Sequence, residues 1–229
     1  MKFVDQKDAF YLKYLALFLV TSAVTVLLLT ILKVTAKTYQ LVTDQIALLG
    51  ILLVACAGCK KYFLMEFRKI DLKAAAISLL LGVSISLATS WLQHELNKLG
   101  FLIVPGASQI NPGNPGAAKA DFYAILVSVI FLGPLMEELL FRFIGLGLVN
   151  QTILSNLANG RLKVLLLMTW SVLISILFAL LHRPGLPAFP FYFGSSIIYC
   201  LLFNKFGLIA SLLAHSATNA GSTLLFLWP

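Results

Sequence analysis

Acidic residues are scarce in this chain: nine Asp and Glu serve 229 residues, and charged residues of both signs make up 11%. A soluble globule of this size needs a far more charged surface. A disordered chain combines high charge with few apolar residues, so both classes are excluded. Cysteine is also rare. Cys56, Cys59 and Cys200 all lie in or beside apolar stretches and form no disulfide framework. The Cys56-Ala-Gly-Cys59 pair has redox spacing but lacks the strand and helix pattern of a thioredoxin-like fold, so it reads as helix packing. No internal repeat is evident, which argues against an inverted-repeat transporter. The zinc-protease signature H-E-x-x-H is missing as well. His94-Glu95 comes nearest, but Lys98 stands where the second histidine belongs, and the pair reads as a solvated helix end.

What is present is apolar sequence: 60% of the residues are hydrophobic, and the mean hydropathy is +0.95. A bilayer core takes roughly 20 apolar residues per helix. On that criterion spans fall near 13–32, 43–60, 73–92, 121–149, 163–182, 188–204 and 206–228. The expected fold is an all-α, polytopic membrane bundle of about seven transmembrane helices around an intramembrane polar cavity. The first run is too long for a signal-peptide core and reads as a retained span. Residues 1–120 form three N-terminal spans and an outer loop, and residues 121–229 form a helical core. That loop contains Asn111-Pro-Gly-Asn-Pro-Gly116, a doubled turn signal and a linker.

The net charge of +8 does not indicate a nucleic-acid partner, because Lys and Arg sit in short segments between apolar runs, where they anchor helices to lipid. Assigned to alternate loops, eleven basic residues fall on the N-terminal side and five on the other. That bias places the N-terminus in the cytoplasm.

Ionisable groups inside spans carry an insertion penalty of at least ~2.5 kcal/mol each, so their default reading is functional. Their distribution here is lopsided. After Asp121 the chain holds two carboxylates only, Glu137 and Glu138, adjacent within an apolar helix. Two of its three histidines, His182 and His215, fall in the same half, and Asn219 follows His215 by one helical turn. Glu138 and Arg142 are spaced i, i+4 with the acid first, the better order for an intrahelical ion pair. Glu137 points away from that pair and is left without a local partner, in surroundings that suit a carboxylate to general-base work. Two histidines, an asparagine and a spare carboxylate on three helices can bind a divalent metal such as zinc. They can equally activate water and stabilise an oxyanion without metal.

Glu137-Glu138-x-x-x-Arg142, Phe178-x-x-x-His182 and His215-x-x-x-Asn219, in that order on three hydrophobic segments, resemble the motifs of the CPBP family. That family comprises type II CAAX prenyl endopeptidases and bacterial bacteriocin-processing or self-immunity (Abi) proteins. The resemblance covers 137–219, and Phe143 stands where many members have Gly. It implies an intramembrane endopeptidase in which Glu137 deprotonates a water that His182 positions. His215 and Asn219 would bind the oxyanion, and Glu138 and Arg142 would brace the site. Family members are often named metalloproteases, yet the matching residues also read as a glutamate-dependent, metal-free site, which is the reading favoured. The expected partners are membrane lipid and a peptide or small membrane-protein substrate. The shortness of the chain fits a bacterial cell-membrane member. Two other classes stay open: a non-catalytic immunity or scaffold protein that keeps the polar site as packing, and an ion-coupled transporter.

The linear topology raises one difficulty. Glu137 lies about sixteen residues into the fourth span, whereas His182 lies at the outer end of the fifth. A restart of the helix at Pro134, a fifth span that continues to Arg183-Pro184, or an inverted orientation would each reconcile the two depths.

Overall fold

A computed structural model of the chain describes residues 36–58, 60–67, 70–100, 119–152, 160–182, 184 and 186–227. The expected first span, Cys59, Arg68, Lys69, Arg183, the Asn111–Gly116 turn and Trp228 lie outside the described residues. The described chain is helical throughout, with no strand among those residues. In chain order the helices are α1 (Ala36–Gly58), α2 (Lys60–Phe67), α3 (Leu72–Lys98), α4 (119–152), α5 (Gly160–Leu181), α6 (Phe189–Phe206) and α7 (Leu208–Leu227).

Three of these are long and apolar enough to cross a membrane: Leu72–Lys98, Phe122–Gly147 within α4, and Gly160–Leu181. The protein is therefore an all-α integral membrane protein. Large side chains such as Leu80, Phe131, Leu165 and Leu181 stand exposed along these helices, as a lipid-facing surface requires. Helices α6 and α7 occupy the last two expected spans. They carry the polar groups discussed below, among them Ser196, Ser211, His215 and Asn219.

The chain divides into two compact units. One draws its described residues from Met1–Met65 and Gln109–Met136, the other from Glu66–Ser108 and Glu137–Pro229. In the first, the Ser128 hydroxyl donates to the Gln45 side-chain carbonyl and ties α4 to α1. All six motif residues named from the sequence belong to the second unit.

Within the second unit the closest helix pair is α3 with α7. Asp71 starts α3 by accepting the Ala74 amide at 2.7 Å, which satisfies one of the free N–H groups of the first turn. The far end carries an exposed Glu95–Lys98 ion pair at 2.9 Å, so the His94-Glu95 dipeptide does sit at a helix end. Between these ends Gly82 and Gly221 let the two helices touch backbone to backbone. A Cβ on Gly82 would collide with the Ala214 carbonyl oxygen, and one on Gly221 would collide with the Ser86 hydroxyl. The Thr218 hydroxyl donates to Ala214 O at 2.9 Å and lies 3.1 Å from Gly82 O, across the seam. Small residues at such crossings replace the hydrophobic driving force that lipid removes. Ile85, Tyr199, Leu202, Ala210 and Ala214 form the core beside this seam.

Helices α6 and α7 are joined by Gly207 alone. Its φ of 84° lies in the left-handed region, where only glycine is unstrained, and it ends α6 by donating to Phe203 O at 2.9 Å. The abrupt corner returns the chain so that α7 packs against α6.

The seam yields a graded expectation. Gly82→Ala meets a backbone carbonyl that cannot turn aside, and should destabilise the protein by about 1–3 kcal/mol. Gly221→Ala meets a side chain and should cost less. Thermal unfolding of both variants in detergent micelles checks the order; equal effects, or a neutral Gly82→Ala, would show that the seam is looser than described.

Candidate active site

The site begins with a backbone irregularity. Pro134 has no N–H and its ring crowds the carbonyl four residues back, so an ordinary α-helix cannot run through it. Here α4 neither stops nor restarts at Pro134. It widens, with a π-helical stretch at Ser128–Leu132 in which Gly133 N–H donates to Ser128 O, five residues back. A second π-helical stretch, Glu138–Leu148, follows directly after Glu137. Wide turns of this kind recur at functional sites because they re-aim side chains without ending the helix. The Gly145 carbonyl in the second stretch accepts a hydrogen bond from Trp170 Nε1 at 2.7 Å, which fastens α5 to the widened turn.

The two adjacent glutamates have different environments. Glu138 and Arg142 are wholly buried, with side-chain exposures of 0%, and their Oε1 and Nη1 atoms lie 3.3 Å apart as an ion pair. Glu138 Oε1 also lies 2.9 Å from His215 Nδ1. Arg142 is held from the other side by α6: its Nη2 donates to Ser196 Oγ at 2.8 Å and approaches Ser196 O at 3.3 Å. Aromatic faces complete its surroundings, with the guanidinium carbon 4.6 Å from the Phe178 ring centroid and 5.4 Å from that of Tyr199. Such contacts replace part of the hydration a buried cation loses. Phe143, the departure beside Arg142, is itself fully buried.

Glu137 is 26% exposed. Its Oε2 lies 3.6 Å from His182 Nε2 and 3.7 Å from His215 Nε2. The depth mismatch of the linear topology is thus absent in three dimensions. Helix α5 ends at Leu181, and His182 at its exit meets Glu137 directly.

The histidine ring orientations follow from their other nitrogens. His182 Nδ1 lies 2.8 Å from the Phe178 carbonyl oxygen. A carbonyl can only accept, so Nδ1 carries the proton. His215 Nδ1 faces a carboxylate ion-paired to Arg142, so it too is the donor. Both Nε2 atoms therefore turn towards Glu137. Glu137 Oε2 is buried and has no hydrogen-bond partner. An unpartnered carboxylate oxygen in such a place calls for a hydrogen-bond donor, and water is such a donor. Among the described residues no three His, Cys, Asp or Glu side chains are arranged to hold a metal ion.

Asn219 sits on α7 one turn beyond His215, on the same face and half-buried. The structure thus brings Glu137, Glu138, Arg142, His182 and His215 into direct contact from three helices and sets Asn219 beside them. The sequence reading missed Tyr192 and Tyr199 on α6. Tyr192 stacks on His182 with ring centroids 4.6 Å apart, and Tyr199 stacks on His215 at 4.7 Å. Their seven-residue spacing, with Ser196 between, was the available signal; in an apolar helix it looked like ordinary core.

Compared with known proteins, residues 119–221 match the family model of the type II CAAX prenyl endopeptidases, described as Rce1-like. That stretch contains all six motif residues. No curated protein and no solved structure matches the chain significantly.

The buried pair makes a clear demand on stability. Arg142→Met leaves Glu138 as a buried carboxylate without its cation, and should cost about 3–5 kcal/mol. Thermal unfolding in detergent measures this; an unchanged midpoint would mean that Glu138 is neutral or hydrated in the folded protein.

Proposed function

The chain belongs to the CPBP family through its type II CAAX prenyl endopeptidase domain at 119–221, and from that premise we propose that it is an intramembrane endopeptidase. Residues 121–229 form its catalytic core, and its substrate is a membrane-embedded or membrane-adjacent peptide. The observation that carries this reading is the orphaned Oε2 of Glu137, set between the Nε2 atoms of His182 and His215 at 3.6 and 3.7 Å.

In this mechanism a water sits among those three atoms. His182 Nε2 accepts one of its protons as a hydrogen bond and Glu137 removes the other, while the water oxygen attacks the scissile carbonyl carbon. The carbonyl oxygen becomes an oxyanion. His215, doubly protonated and backed through Nδ1–H by the Glu138 carboxylate, donates from Nε2 to that oxyanion, and the Asn219 amide donates beside it. Glu137 then passes its proton to the leaving nitrogen as the C–N bond breaks, which regenerates the carboxylate. Glu138 holds His215 in orientation and supports its positive charge. Arg142 keeps Glu138 ionised. Burial of the inner half of the site strengthens each of these interactions.

The proposed site works without metal. Support comes from the sufficiency of the acid–base groups already in contact. The protein acts in a cell membrane. Prenylated CAAX-type peptides, secreted signalling peptides, bacteriocin precursors and small membrane proteins are substrates of the required kind.

The test is a comparison of peptide termini by mass spectrometry, in membranes and medium from cells expressing wild type or Glu137→Gln at matched levels. Glutamine keeps the shape and loses the base, so cleavage should fall by about 10²–10⁴-fold. A chelator should leave wild-type cleavage intact. Unchanged peptide ends with the variant would overturn the peptidase reading in favour of a binding or immunity role, and loss of cleavage with chelator would overturn the metal-free one.

A further inference from the structure

Helix α6 carries none of the three motifs, yet one of its faces touches all of them. Tyr192, Ser196 and Tyr199 are spaced i, i+4 and i+7, so their side chains leave the helix on one side, one above another. Each meets a residue of a different motif. Tyr192 stacks on His182 with an interplanar angle of 29°. Ser196 accepts from Arg142 through both its hydroxyl and its carbonyl. Tyr199 stacks on His215 with an interplanar angle of 18°.

These contacts supply what the hydrogen bonds alone leave open. The bond from His182 Nδ1 to Phe178 O, at 2.8 Å, fixes one atom of the ring but permits rotation about that bond. The same holds for His215 and Glu138. A flat neighbour stacked on the ring removes the remaining freedom, because tilting the imidazole would break face-to-face contact. On the other side of the assembly Phe178 lies 4.5 Å from the His182 ring and 5.7 Å from that of His215, with tilts of 42° and 68°. It limits both rings from a second direction.

We infer that Tyr192, Ser196 and Tyr199 are positioning residues, which make α6 a template that aims His182, Arg142 and His215 at the reacting centre. The inference rests on the peptidase reading above. The planar ring, not the phenol hydroxyl, does the positioning at both tyrosines.

The test uses the full chain in detergent micelles and an internally quenched, prenylated CAAX-type peptide as probe. Tyr192→Leu and Tyr199→Leu fill similar space without a flat face. Each should lower kcat by about 10–100-fold, the effect of misplacing a catalytic group by roughly 1 Å, with KM within about twofold of wild type. Tyr192→Phe and Tyr199→Phe should keep kcat within about threefold, since they retain the ring. Leucine variants that turn over like wild type, or that raise KM alone, would overturn the inference.

Should a leucine variant fail to fold, Ser196 decides. Ser196→Ala removes one buried acceptor and should lower kcat at constant KM, whereas Ser196→Thr should restore it. A second readout needs no turnover. The chain has only three histidines, so spectra of histidine-labelled protein resolve each ring. The His215 Nδ1–H signal should be protected from solvent exchange in wild type and Tyr199→Phe, and exchange-broadened in Tyr199→Leu. Persistence of that signal in the leucine variant would overturn the positioning role whether or not the peptide is cut. Intact peptide with wild type, alongside the expected spectra, would overturn the peptidase reading alone.

Discussion

An ionised carboxylate in an apolar interior is untenable unless its charge is met, and the rest of this structure follows from how Glu138 meets that demand. Glu138 and Arg142 have no solvent exposure at all. Each must therefore be satisfied by protein atoms, because desolvation of either ion alone exceeds what packing returns. Arg142 spreads its donors and its face over Glu138, Ser196, Phe178 and Tyr199. Glu138 has capacity left after Arg142, and His215 takes it. That bond turns His215 so that its second nitrogen faces Glu137. The orientation of the outer, reactive-looking groups is thus inherited from the neutralisation of an inner pair.

The two glutamates show how far environment separates identical chemistry. They are neighbours in sequence, yet one is sealed among charged and aromatic partners while the other is about a quarter exposed and faces two histidine nitrogens. Two carboxylates in distinct surroundings are the usual basis for divided roles in acid–base catalysis. The second widened stretch of α4 begins at Glu138. A helix forced by Pro134 to open its register can present consecutive side chains to separate partners without breaking.

Support for the site extends past the segment that carries the family match. Helix α3 lies before residue 119, yet it is the helix in closest contact with α7, which carries His215 and Asn219. That contact depends on shape rather than charge: two glycines permit approach, and a threonine hydroxyl bridges the seam. In lipid, where apolar side chains gain nothing by leaving one neighbour for another, such close approach is what fixes a helix in place. The candidate-site side chains of α4, α5 and α7 are thereby set on a frame to which α3 and α6 contribute.

Much was legible in the sequence, and for local reasons. Helix positions follow from the length and apolarity that a bilayer imposes on any span. Glu137, Glu138, Arg142, His182, His215 and Asn219 stood out because ionisable groups are so few in the second half of the chain, and the i, i+4 pairing of Glu138 with Arg142 is a property of helix geometry alone. What the sequence could not yield was anything that depends on which faces of distant helices meet. The second bond of Glu138 to His215, the stacking of Tyr192 and Tyr199 on the two histidines, and the grip of Ser196 on Arg142 join residues far apart in the chain. Before folding, a tyrosine in an apolar helix is indistinguishable from core. Only the tertiary arrangement decides that its ring lies against a histidine, because stacking depends on relative position and angle in space, and neither is written in spacing along one strand of sequence.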